Sequence, residues 1–141
     1  MIICFKVNGQ PQGKARPRFS RKSGTVYTPK TTLDYEAQIR KEFMKAGGTK
    51  QKAPCCVDVW AGYKIPKSWS RMKVMNAVNG EVIPGKPDVD NVLKVVLDAL
   101  NGVAYEDDKQ VISAYCSKAF APIGEEPSIR VRVSFLGVKG E

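Results

Sequence analysis

Six carboxylates crowd residues 86–110 (KPDVDNVLKVVLDALNGVAYEDDKQ): Asp88, Asp90, Asp98, Glu106, Asp107 and Asp108. The chain around them is strongly basic, with a formal charge of +9 over 141 residues. Asp88 and Asp90 open a predicted helix, and Asp108 precedes a predicted strand. A helix that turns back onto that strand brings Asp108 near the acid pair. Three carboxylates at one point repel one another, and a hard divalent cation such as Mg2+ relieves that repulsion. The cation would neutralise charge on a phosphate and help generate a hydroxide nucleophile, so the chemistry indicated is metal-assisted phosphodiester hydrolysis. The same residues also fit a plainer reading, in which an Asp caps a helix and an Asp-Asp pair sits in a solvated turn.

The elements that must position these groups are legible around them. Pro87 biases Lys86 towards an extended conformation, so the helix starts after it, with Asp88 or Asp90 as its cap. Val89, Leu93, Val96 and Leu100 recur at helical spacing and predict its buried side. Asn91, Lys94, Asp98 and Asn101 form a polar stripe on the same helix. Asn101-Gly102 ends it, since glycine tolerates the left-handed conformation after a helix. Val111 to Tyr115 then begins a strand that runs to Phe120.

Composition narrows the chemistry further. The chain has no histidine, which excludes Ser-His and Cys-His nucleophilic machinery and His-based metal sites. Cys4, Cys55, Cys56 and Cys116 contain no Cys-x-x-Cys spacing and read as buried or half-buried free thiols. Residues 1–53 hold 12 Lys/Arg against 3 Asp/Glu, whereas residues 54–141 hold 11 of each, so the whole excess of +9 lies in the first part. That concentration is in the Gly- and Pro-rich stretch 9–29, read as a long loop or arm. Lys14, Arg16, Arg18, Arg21 and Lys22 fall within nine positions there and suit phosphate contacts. Lys86, bordering the acid pair, is a further candidate. Phe19 and Tyr27 either stack on unpaired bases or pack the loop down.

The string PDVDNVLKVVLDALNGVAYEDDKQV closely resembles the signature of the RusA family, Holliday junction resolvases common in bacterial prophages. The shared pattern is an Asp-x-Asp-Asn opening, a Lys on the helix, an Asp-Ala-Leu run near its end and a later Asp-Asp before Gln. The Lys-Ala-Arg-Pro-Arg segment at 14–18 and the Ile-Pro-Lys-Ser-Trp segment at 65–69 are also similar to family stretches. The resemblance implies a homodimeric endonuclease on a small α+β fold, acting on four-way DNA junctions and leaving 5′-phosphate ends. It implies Mg2+ dependence, with Mn2+ as a possible substitute. Catalytic and metal-binding roles carry over to Asp88, Asp90 and Asp108, with Lys94 as a functional basic residue that would stabilise charge developing on the phosphate. Asn91, Asp98 and Asp107 then orient the groups that hold the metal.

The remaining chain reads as follows. Ile2 to Val7 is a strand, expected to be central. Thr31 or Thr32 caps a helix from Leu33 to Lys45, with Asp34 and Glu36 in its first turn and Tyr35, Ile39 and Phe43 buried. Cys55 to Ile65 alternates as a half-buried strand. Lys67 to Val78 is a short helix capped by Ser68, its apolar face made by Trp69, Met72 and Met75. Ser128 to Val138 is a strand expected to pair antiparallel with Val111–Phe120, and residues 139–141 are a tail. The order predicts a two-layer α+β domain, a mixed sheet of about four strands with helices mainly on one face, spanning residues 1–141 as one unit. No stretch is long and apolar enough to span a membrane, and cytoplasmic residence is expected. A junction resolvase in DNA recombination and repair is the leading function. A non-catalytic branched-DNA binding module and a nuclease for flaps or forks are the alternatives.

Overall fold

A computed structural model describes residues 1–139. Residues 140–141, the end of the expected tail, lie outside the described residues. The elements in chain order are β1 (Ile2–Asn8), β2 (Arg18–Phe19), β3 (Val26–Tyr27), α1 (Lys30–Lys45), β4 (Cys55–Tyr63), α2 (Arg71–Val78), α3 (Val89–Leu100), β5 (Val111–Phe120) and β6 (Ser128–Phe135). Four strands form a mixed sheet in the order β1-β6-β4-β5, and β2 and β3 make a separate two-stranded hairpin. The fold is α+β, as expected.

Side chains point to opposite faces at alternate strand positions, and one face of the sheet is apolar. Ile3, Phe5 and Val7 of β1, Val57, Val59, Ala61 and Tyr63 of β4, and Ile129, Val131, Val133 and Phe135 of β6 are buried together. Tyr35, Ile39 and Phe43 of α1 and Val92, Val95, Val96, Ala99 and Leu100 of α3 complete the core. The buried side of α3 is therefore shifted by about one position from the expected set. Val89, in the open first turn, is 39% exposed and Leu93 is only half-buried.

Two strand placements differ from expectation. β6 pairs antiparallel with both β1 and β4, and β5 pairs parallel with β4, so β5 and β6 are not neighbours. The 121–127 connection instead crosses the end of β4 at Gly62, where a Cβ would lie 3.5 Å from the Ser128 carbonyl oxygen. Because β6 inserts between β1 and β4, β1 is an edge strand and not a central one. The parallel β4–β5 pair needs a long crossover, and α2 and α3 lie within it.

Helix starts also moved. α1 begins at Lys30 behind Pro29, with no side-chain cap, because Thr32 is buried and serves the core. Asp34 and Glu36 thus leave the first turn. α2 begins at Arg71 with Ser70, not Ser68, accepting a bond from the Lys73 N–H. Met72 and Met75 face solvent and only Ala77 of α2 is buried, so this two-turn helix adds little to the core. Trp69 precedes it and packs edge-on against Phe120. Of the four free thiols, Cys55 is buried, Cys56 and Cys116 are half-buried, and Cys4 is exposed on the helix-free face. No helix among the described residues is long and apolar enough to cross a membrane.

Candidate active site

The two acidic clusters occupy opposite ends of α3. Asp88 is its N-cap residue and Asp90 lies in its first turn, where the free N–H groups and the helix dipole favour negative charge. The Lys86–Pro87 peptide before them is cis. Tyr63, at the end of β4, donates its hydroxyl hydrogen to the Pro87 carbonyl. The Lys118 ammonium, near the end of β5, donates to the carbonyls of Pro84 and Gly85 at 2.9 and 3.2 Å. These bonds pin the entry to the acid pair onto one end of the sheet. The Lys86 ammonium lies 3.0 Å from Asp88 Oδ2, on the surface. Asp90, Asn91 and Lys94 are exposed along the same helix.

Asp107 and Asp108 sit at the other end, just before β5. Asp107 caps a single helical turn (Asp108–Gln110), its carboxylate accepting from the Lys109 N–H at 2.9 Å. The Gln110 side chain locks this turn from both sides. Its Oε1 accepts from the Glu106 and Asp107 N–H groups, and its Nε2 donates to the carbonyls of Gln51 and Ala53 at 3.0 and 3.1 Å. The Lys109 N–H bond and a hydrogen bond from Asp108 hold the Asp107 carboxyl below the usual carboxylate range. The shared hydrogen bond with Asp107, followed by burial and the charges of Asp107 and Asp98, raises Asp108.

The expectation that Asp108 joins Asp88 and Asp90 is thus overturned within one chain. α3 returns along the sheet, so its start lies at the Tyr63 end and Asp108 at the Cys55–Val111 end. Ten residues of helix from Asp88 to Asp98 span roughly 15 Å, and it is Asp98 whose charge reaches Asp108. Among the described residues, no three His, Cys, Asp or Glu side chains converge closely enough to hold one ion. The donor chemistry nonetheless suits a hard cation. Both clusters are oxygen-only, and the like charges around Asp108 leave a repulsion that a cation would relieve.

The basic arm docks directly on this helix. A Cβ on Gly13 would lie 2.9 Å from the Cβ atoms of Pro87 and Asn91, so only glycine allows the approach. The Lys14 N–H donates to the Asn91 carbonyl at 3.1 Å. The Lys14 ammonium sits between Glu36, at 3.2 Å, and Asp98, at 3.3 Å. Beyond it, Arg16, Arg18, Arg21 and Lys22 are exposed, and none has an ion-pair partner among the described residues. β2 and β3 fold this stretch into a small hairpin where a loop was expected. Phe19 (64%) and Tyr27 (46%) remain exposed, so they do not pack the arm down.

Three groups were assigned no positioning role from the sequence: Gln110, Glu36 and Tyr63. Gln110 had a signal, the Asp-x-x-Gln spacing of a capping box at 107–110. Glu36 had a weaker one, a charge beside Tyr35 on the apolar side of α1. Tyr63 had none, because its bond is to a carbonyl 24 residues away.

Comparison with known proteins shows the family. The chain is 35% identical over 139 residues to the protein YqaN of Bacillus subtilis (strain 168), an alignment covering 93% of this chain and 94% of that protein. Residues 8–134 match the family described as Endodeoxyribonuclease RusA, a span that includes the arm, both acidic clusters, β4 and β5 whole and β6 up to Ser134. The chain belongs to the RusA endodeoxyribonuclease family.

Proposed function

We propose that this protein is a metal-dependent endonuclease for branched DNA, acting on four-way junctions as a homodimer, in recombination and repair. The observation that carries the reading is the docking of an arm of exposed arginines onto the very helix turn that bears Asp88 and Asp90. Arg16, Arg18, Arg21, Lys22 and Lys86 hold backbone phosphates, and Phe19 and Tyr27 are free to stack on unpaired bases. Asp88, Asp90 and Asp108 hold the cation, while Asn91, Asp98 and Asp107 orient them. A bound Mg2+, or Mn2+ in its place, supplies charge neutralisation at the scissile phosphate and acidifies the attacking water. The Lys94 ammonium, one turn beyond Asp90, stabilises charge developing on the phosphate.

Dimerisation answers the separation of the acids. In a two-fold dimer, Asp88 and Asp90 of one copy can meet Asp108 of the other, which makes two equivalent sites from one contact. Two sites match the approximate two-fold symmetry of a junction and produce paired cuts. The whole chain, 1–141, serves as one nuclease domain in the cytoplasm.

The test is cleavage of a synthetic four-way junction beside a duplex and a flap of matching sequence. Paired nicks restricted to the junction, lost with EDTA and in Asp90→Asn, are expected. Tight junction binding without a nick under Mg2+ or Mn2+ would leave a binding module and end the enzyme reading.

A further inference from the structure

Lys14 lies in the cationic arm, and its sequence context is that of a phosphate ligand. Its surroundings are different from those of its neighbours. The ammonium is held between the carboxylates of Glu36 and Asp98, with its side chain only 18% exposed. The Glu36 side chain is 7% exposed, so its charge is largely out of water and Lys14 is its counter-ion. A buried carboxylate that loses its partner is strongly destabilised, because desolvation is no longer offset. For Lys14 to reach a phosphate it must leave Glu36 in that state. The backbone at the same residue is tied as well, through the Lys14 N–H to Asn91 and the close seat of Gly13 on Pro87 and Asn91.

We propose that Lys14 is a positioning residue and not a phosphate ligand. The Glu36–Lys14–Asp98 triad clamps the root of the basic arm across α1 and α3. It thereby sets where Arg16, Arg18, Arg21 and Lys22 stand relative to Asp88 and Asp90. The clamp itself depends only on the free protein; its consequence for DNA rests on the nuclease reading above.

The two roles give opposite signs for one substitution, Glu36→Gln. If Lys14 binds phosphate, removing its competitor frees it and tightens junction binding. If Lys14 is a clamp, the same change loosens the arm and weakens binding, by roughly 3- to 10-fold, the scale of one ordinary hydrogen bond. The experiment measures junction affinity in EDTA across a salt series for the native chain, Glu36→Gln, Lys14→Met and the double variant. Deuterium exchange of residues 8–19 in the free proteins is followed in parallel. The clamp predicts weaker binding and faster exchange in both single variants. It also predicts a salt slope that Lys14→Met leaves unchanged, and a double variant no worse than either single one. Tighter binding by Glu36→Gln, or a slope reduced by about one phosphate in Lys14→Met with native exchange, would overturn it. Should Lys14→Met fail to fold, the sign for Glu36→Gln decides alone. A native chain that binds no branched DNA defeats the nuclease reading, while the exchange data still judge the clamp.

Discussion

The separation of the acids along α3 leads to a quantitative expectation. Ligand oxygens around one Mg2+ lie about 2.0–2.1 Å from the ion, far closer together than the roughly 15 Å of helix between Asp88 and Asp98 allows. If a second copy completes the set, an Asp90→Asn chain and an Asp108→Asn chain are each inactive as homodimers. Mixed and allowed to exchange subunits, they form dimers in a 1:2:1 ratio, so about half are mixed. In a mixed dimer one site collects both substitutions and the other collects none. About one quarter of native sites should therefore return. Because no dimer holds two intact sites, the product should be single nicks, with paired cuts still absent. The assay is a junction labelled on one strand at a time, resolved on a denaturing gel, with native mass spectrometry confirming exchange. Asp88→Asn mixed with Asp90→Asn is the control and should recover nothing, since both changes affect the same half-site. Confirmed exchange without recovered nicking would refute the composite site.

Two other perturbations address the acid turn. Gln110→Ala removes four hydrogen bonds, of which the two to the Gln51 and Ala53 carbonyls are part-buried. At about 0.5–1.5 kcal/mol each, those two predict a loss of about 2 kcal/mol in urea denaturation, with Mg2+ affinity falling alongside. A variant as stable as the native chain, with unchanged metal binding, would show that other contacts hold the turn. Asp107→Asn addresses pH: Asp107 raises Asp108 through their shared hydrogen bond and its charge. A raised carboxyl stays protonated to higher pH and resists a cation until it ionises, so metal-dependent nicking should fade as pH falls towards the carboxylate range. Removing the Asp107 charge lowers Asp108, and this acid limb should move to lower pH in Asp107→Asn. An unmoved or upward-shifted limb contradicts the coupling.

How much was legible in the sequence depended on the range of the interactions involved. The strands β4 and β6 were legible because alternation is set by the pleat, and one buried face leaves a period of two. The end of α3 was legible because Gly102 adopts a positive φ that other residues avoid. The acid signature and the basic arm were contiguous strings and therefore visible. Tertiary structure alone decided which strand neighbours which, since β5 and β6 are adjacent in sequence but separated by β4. It also decided that Asp108 sits a helix length from Asp88, because α3 and β5 run in opposite directions along the sheet. Lys14 is the sharpest case. By residue type and neighbours it matches Arg16 and Arg18, and only the packing of α1 against α3 encloses its ammonium between Glu36 and Asp98. Residue type determines what charge a side chain carries; the fold determines whether water, a phosphate or a buried carboxylate answers it.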